Sequence, residues 1–277
     1  MMLFHERGAL PVRLGNWAIG VLLAVSVALP LPASAQLVPA QYQPESGQAG
    51  KDVVWVPTPQ ALVDRMLDMA KVTPKDRLID LGSGDGRTVI TAAKRGLTAR
   101  GIEYNPDMVA LARRNAADAE VAERATFEQA DLFETDLSTA EVITLFLLPS
   151  INEKLRPRIL ELAPGTRIVS NTFDMGDWPA DETSVVGDGC ERWCRALLWI
   201  VPAKVDGAWR LGEQELRLSQ RYQSFSGTLG SATIADAKLD GTKISFTANG
   251  VRYTGTVSGD TMKGDSSTGS PWSASRG

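Results

Sequence analysis

The sequence has a single histidine, His5, inside an N-terminal stretch with the features of an export signal. Without residues 1–35 the chain has none, which excludes histidine-based metal sites, Ser-His-Asp triads and imidazole general bases. Cysteine is nearly as scarce, with Cys190 and Cys194 four positions apart. A metal held by that pair would need two further ligands, and no histidine remains to supply one. In an exported chain the expected state is a disulfide clasping a hairpin end, with two free thiols as the alternative. A basic excess is also lacking. With 29 Lys+Arg against 33 Asp+Glu and a net charge of −4, there is no electrostatic footprint for nucleic acid.

The apolar run from Trp17 to Leu29 is too short to span a bilayer comfortably. Arg7 and Arg13 precede it and Ala33-Ser34-Ala35 follows, so residues 1–35 are expected to be a signal peptide cleaved before Gln36. The alternative is an uncleaved membrane anchor. The expected location is the periplasm, with membrane contact through this segment alone. Residues 36–52 are polar and rich in Gly, Pro and Gln, the composition of a linker. Two domains are expected after it, over 53–204 and 205–277.

The first domain is organised around Asp76 to Gly101. Leu78, Ile79 and Leu81 suggest a buried parallel strand that ends at Asp80 and breaks into Gly82-Ser83-Gly84-Asp85-Gly86. Arg87 to Lys94 then takes a helical pattern. Alternating glycines let backbone approach a ligand closely, and the helix start presents free N–H groups. The pattern is D-x-G-x-G-x-G rather than the dinucleotide G-x-G-x-x-G. The next strand ends in Glu103, where a carboxylate can accept both hydroxyls of an adenosyl ribose. Two acids suit a cationic sulfonium with an amino-acid tail better than a pyrophosphate. The stretch resembles motif I of class I S-adenosylmethionine (SAM) dependent methyltransferases.

The α/β alternation continues with a helix after Asn105-Pro106, a short strand at Ala125 to Glu128, and an apolar strand at Glu141 to Leu148. A helix interrupted by Pro157 follows, then a strand at Arg167 to Ser170 and two closing strands at Ser184 to Val186 and Ala196 to Val201. Thr58 is placed to cap the first helix, with Pro59 in its first turn. Seven strands in this order imply a Rossmann-like class I methyltransferase sheet. By that resemblance Asp80, Gly82, Ser83, Gly84, Gly86 and Glu103 would bind SAM, and Asp131 would meet the adenine amino group.

A narrower resemblance rests on V-P-T-P before the first helix, D-L-G-S-G-D-G-R, L-L-P-S-I-N-E-K-L-R-P, P-G-T-R-I-V-S and F-D-M-G-D-W. Over about Val53 to Ala203 the chain is similar to the lysine methyltransferases of the ATP synthase c subunit and their bacterial relatives. That likeness implies N-methylation of a protein lysine or another amine. Pro149, Asn152, Asn171 and Trp178 are the acceptor-side candidates. A pocket of Phe146, Pro149 and Trp178 would lower the pKa of a buried lysine so that it arrives neutral. Relatives often carry His where this chain has Asn171, and an amide is no base near neutrality. Arg156 stands where it could orient a substrate or hold a closing loop.

From Val205 helical patterns give way to short segments and glycine turns, such as Asp240-Gly241 and Asn249-Gly250. They imply a small antiparallel β domain, open or closed into a barrel, that stabilises the chain or binds a partner. Two other functions remain open: an exported nucleoside- or SAM-binding protein without transfer activity, and an interaction protein using the β domain. No metal and no nucleic-acid partner is expected.

Overall fold

The structure is a computed structural model that describes Gly15 and residues 42–277. The expected signal segment, its cleavage site and residues 36–41 lie outside the described residues, Gly15 excepted. Among the described residues no helix is long and apolar enough to cross a membrane.

Four short buried runs form the parallel centre of the first sheet. These are β1 (Arg77–Leu81), β2 (Thr98–Glu103), β4 (Val142–Leu145) and β5 (Arg167–Asn171). Their apolar content follows from burial on both faces. With β3 (Ala125–Gln129), β6 (Glu182–Val185) and β7 (Arg195–Ile200), the sheet order is β3-β2-β1-β4-β5-β7-β6. Strand β7 runs antiparallel to β5, and β6 antiparallel to β7. This is the seven-stranded Rossmann-like sheet that the alternation implies.

Helices α1 (Gln60–Met69), α2 (Arg87–Lys94) and α3 (Pro106–Asp118) contribute to one core, through Leu62, Val63, Met66, Leu67, Val89 and Val109. Helix α4 (Pro149–Ile159) contributes Ile151, Leu155 and Ile159 to the other. Strand order reverses between β1 and β4, the place where open α/β sheets leave a crevice beyond their carboxyl ends.

Three local expectations are corrected. Strand β4 ends at Leu145, so Phe146, Leu147 and Leu148 belong to the crevice rather than to a longer strand. Helix α4 runs through Pro157, which falls in its last turn, close to where the helix ends in any case. Thr58 does not cap α1, since the N-cap is Pro59 and Thr58 Oγ1 instead accepts a hydrogen bond from Asn171 Nδ2 at 3.2 Å.

Beyond Val205, nine strands make one antiparallel meander: β8 (Gly207–Leu211), β9 (Gln214–Arg221), β10 (Ser224–Leu229), β11 (Ala232–Thr233), β12 (Ala235–Asp240), β13 (Lys243–Ala248), β14 (Val251–Ser258), β15 (Thr261–Ser266) and β16 (Pro271–Arg276). The last strand pairs with the first, β16 on β8. Across the remaining seam, Leu239 N donates to Gln223 O at 3.2 Å and Ile234 N to Gly227 O at 3.0 Å. The meander therefore curls into a barrel, filled by Trp209, Leu216, Phe246, Met262 and Trp272.

A polar and aromatic joint fixes this barrel to the loop after β5. Trp178 Nε1 donates to Gln223 Oε1 at 2.9 Å, and its indole stacks on Tyr222 with ring centroids 5.8 Å apart. Asp177 accepts from Arg221, Tyr222 and Arg156. The bonds from Arg221 and Tyr222 pull its pKa down to about 2. That contribution is present above the ordinary aspartate pKa and fades only as pH falls towards 2.

Candidate active site

The glycine turn between β1 and α2 is tied to the neighbouring strand. Gly82 N and Ser83 N both donate to Ile102 O, at 2.8 and 3.0 Å. Gly82, Gly84 and Gly86 have φ of +77°, +53° and +86°, a region that L side chains avoid. Gly86 serves packing, because a Cβ there would press into Phe127 and Ala112. It does not line the cavity.

A cavity of about 550 Å³ opens above this turn, within the range that holds a small-molecule ligand. Asp80, Gly82, Ser83, Gly84, Glu103 and Asp131 line it. Glu103 Oε2 accepts from Gly84 N at 3.0 Å and Oε1 from Asn105 N at 2.9 Å. A carboxylate has about four acceptor sites, so two remain for the hydroxyls of a ribose. Asp80 is 7% exposed, and the one hydrogen bond to its carboxylate among the described residues comes from Thr144 Oγ1 at 2.6 Å. Burial raises its pKa to about 7, the Thr144 bond opposes the rise, and Glu103 and Asp85 add to it. Neither Asp80 nor Glu103 has an ion-pair partner among the described residues. An acidic, glycine-floored cradle of this kind fits hydroxyls and a cation and disfavours phosphate.

Residues 48–58 contribute another wall. Gly47 N donates to Trp55 O and Trp55 N to Gln48 O, a narrow turn that holds Trp55 against Gly84. A Cβ on Gly84 would collide with the Trp55 indole. The segment read as linker thus forms part of the cavity through Gln48 to Asp52. Lys51 Nζ donates to Asp131 Oδ2 at 2.6 Å and lies 4.5 Å from the Tyr104 ring. This bond holds the Asp131 carboxyl below its usual range, and an adenine amino group would have to share the carboxylate with Lys51. The pair is part-exposed, so solvent screens it and its contribution is small. Lys51→Gln should change cofactor affinity by less than about fivefold in calorimetry. Arg87 joins the same wall to the glycine turn, forking onto Asp85 and donating to Thr58 O at 2.9 Å.

The acceptor half differs from the sequence expectation. Pro149, Asn152, Asn171 and Trp178 are all absent from the cavity wall. Pro149 is the first residue of α4, and its neighbours Leu148 and Ile151 face the cavity instead. Asn152 is fully buried and donates to Phe173 O and Asp174 O, so it pins the loop after β5. Arg156 does the same, donating to Met175 O and Asp177 at 2.6 Å each. Asn171 is buried behind the wall and touches Thr58, which does line the cavity. Trp178 is committed to the barrel joint. Trp178→Ala should lower stability by about 3–5 kcal/mol, read as a fall in denaturation midpoint, with cofactor affinity of the folded protein unchanged.

Phe146, Phe173 and Trp193 stand on the acceptor side in their place. Phe146 follows β4 directly. Phe173 follows Thr172, a β-branched residue at φ +62° whose N–H and C=O are both bonded to Arg195. Cys190 and Cys194 form the expected disulfide, and the turn they close presents Trp193. Sequence reasoning missed Trp193 and Lys51. An aromatic residue between two cysteines at the sheet's carboxyl edge was the available signal for the first.

The sheet order, the glycine turn and acids at the ends of β1 and β2 define a class I SAM-dependent methyltransferase. Residues 80–182 match the family described as the ANTKMT methyltransferase domain. A protein-lysine N-methyltransferase of Saccharolobus islandicus (strain REY15A) is 44% identical over 140 residues, 50% of this chain and 87% of that one. The adenine nucleotide translocase lysine N-methyltransferase of Mus musculus is 36% identical over 132 residues, covering 47% of this chain and 56% of that protein. The crystal structure of an RNA methyltransferase from Salinibacter ruber in complex with S-adenosyl-L-homocysteine covers 54% of this chain and 96% of its own, with 49% identity and a TM-score of 0.51. The chain belongs to the methyltransferase family that includes the Saccharolobus enzyme, and its cofactor is SAM.

Proposed function

We propose that this chain methylates the side-chain amine of lysine in a protein partner. The observation that carries the proposal is the division of one cavity into an acidic glycine half and an aromatic half. SAM, when bound, supplies an electrophilic methyl group carried on a sulfonium. Glu103 and Asp80 would orient and electrostatically match it, while Phe146 and Phe173 exclude water from the acceptor side. Only the neutral amine can attack, so an entering ammonium must first release a proton to water. The names of the Saccharolobus and mouse relatives point to lysine as acceptor.

The Salinibacter relative is described as an RNA methyltransferase, and the net charge of −4 argues against that acceptor here. Methyl-labelled SAM incubated with the protein and a cell-envelope extract should place acid-stable label in Nε-methyllysine, insensitive to nuclease. Label confined to RNA would reject the protein acceptor. Bound cofactor with no label anywhere would favour a binding protein.

The signal-like segment supports action outside the cytosol. In native cells the periplasmic fraction should yield a chain beginning at Gln36. A chain beginning at residue 1 in the membrane fraction would indicate an anchor instead.

A further inference from the structure

Trp193 is held where ordinary packing would not place it. The residue is 42% exposed, and its backbone lies in the left-handed region at φ +59°, which costs a bulky residue roughly 1 kcal/mol or more. The Cys190–Cys194 disulfide closes the short turn that carries it. Its indole lies 5.4 Å from the Phe173 ring and 6.1 Å from Phe146, at interplanar angles of 45° and 60°. Phe146 and Phe173 stack at 6.0 Å. Phe146 and Phe173 are near-parallel at 21°, and Trp193 is tilted against both where the three line the acceptor half of the cavity. Trp193 also lines a shallow outer groove with Val56, Pro57, Glu191 and Arg192, so it is a wall common to groove and cavity.

We propose that the disulfide turn is an acceptor clasp: it holds Trp193 as the third wall of an aromatic cup that binds an alkylammonium group. This rests on the amine-transfer function proposed above. Aromatic faces attract cations, most strongly where water is excluded. During transfer the amine lone pair bonds to the methyl carbon as the carbon–sulfur bond breaks, its electron pair passing to sulfur. Positive charge thereby moves to nitrogen, which afterwards loses a proton to water. A cup that favours charge at nitrogen lowers that barrier more than it tightens binding of the neutral amine. Trp193 would touch the acceptor, whereas Cys190 and Cys194 are positioning residues that act through it. Reduction of the disulfide would free the turn and loosen the cup.

The test is calorimetry in saturating S-adenosylhomocysteine with two probes. One is Nα-acetyl-Nε-trimethyllysine amide, and the other is its neutral isostere with tert-butyl in place of trimethylammonium. Oxidised wild-type protein should bind the cation about fivefold or more tighter than the isostere. Trp193→Ala, reduced wild type and the Cys190→Ser/Cys194→Ser double variant should bind the two within about twofold of each other. Trp193→Phe should keep part of the preference, and all forms should hold S-adenosylhomocysteine within about twofold of wild type. A full preference retained in Trp193→Ala, or none in the oxidised wild type, would overturn the clasp. Wild type that fails to bind S-adenosylhomocysteine at all would overturn the methyl-transfer function and the clasp with it.

Discussion

Glu103→Ala should weaken S-adenosylhomocysteine binding by about two orders of magnitude or more, measured by calorimetry. Two hydrogen bonds from ribose to a carboxylate would be lost, each worth about 1.5–3 kcal/mol. The loss extends to the protein itself, because Gly84 N and Asn105 N both donate to this side chain. Without it the glycine turn loses its tether to β2, and the cradle is less well organised before ligand arrives. Glu103→Gln separates these effects. It keeps one oxygen acceptor and replaces the other with a donor, so it should bind more tightly than Glu103→Ala and more weakly than wild type. Equal affinity for wild type and Glu103→Ala would remove the ribose from this position.

Asp80 should make both stability and SAM binding depend on pH near neutrality. Its pKa in the folded protein is raised to about 7 by burial, above the ordinary aspartate value, so the native state holds a proton that the unfolded chain has released. The associated stability is fully present below about pH 4, declines by roughly 1.4 kcal/mol per unit, and is lost above about pH 7. The whole change is about 4 kcal/mol. Asp80→Asn should abolish that slope and leave the ligand-free protein more stable at pH 8 than wild type. A cationic ligand favours the ionised carboxyl, so wild-type affinity for SAM should climb about tenfold between pH 5.5 and 7.5 and then level off. In Asp80→Asn the affinity should be lower at pH 8 and flat across that range. Parallel stability curves for the two proteins would show that Asp80 is ionised throughout. Such a free protein would be stable despite an uncompensated buried charge, which is acceptable only if water reaches the site.

The central sheet was legible because its signals are local. Apolar runs, a glycine turn and amphipathic helices each report on neighbours within a few residues, and the strand order then follows the methyltransferase resemblance. Glu103 and Asp80 could be read for the same reason, since each ends a strand at the ligand edge. The acceptor side was not legible, because its walls come from distant loops. Nothing local distinguishes Trp178, which the barrel takes for its joint, from Trp193, which the disulfide turn presents to the cavity. Trp193 sits in a turn closed by a covalent bond between residues whose pairing the sequence leaves open. Asn152 and Asn171 have the polarity of catalytic groups, yet their amides bond to loop carbonyls and to Thr58. Composition likewise marked residues 36–52 as linker, although Lys51 and its neighbours gain order through contacts with Asp131 and Tyr104 far along the chain.

The most direct measurement is a crystal structure of the oxidised protein, residues 36–277, with S-adenosylhomocysteine. The ribose hydroxyls should lie on Glu103, the amino-acid tail beside Asp80 and Gly82, and the sulfur should face Phe146 and Phe173 with Trp193 beyond. Ligand bound outside this cavity, or bound within it with sulfur turned towards Asp131 and away from the aromatic rings, would contradict the assignment of the two halves.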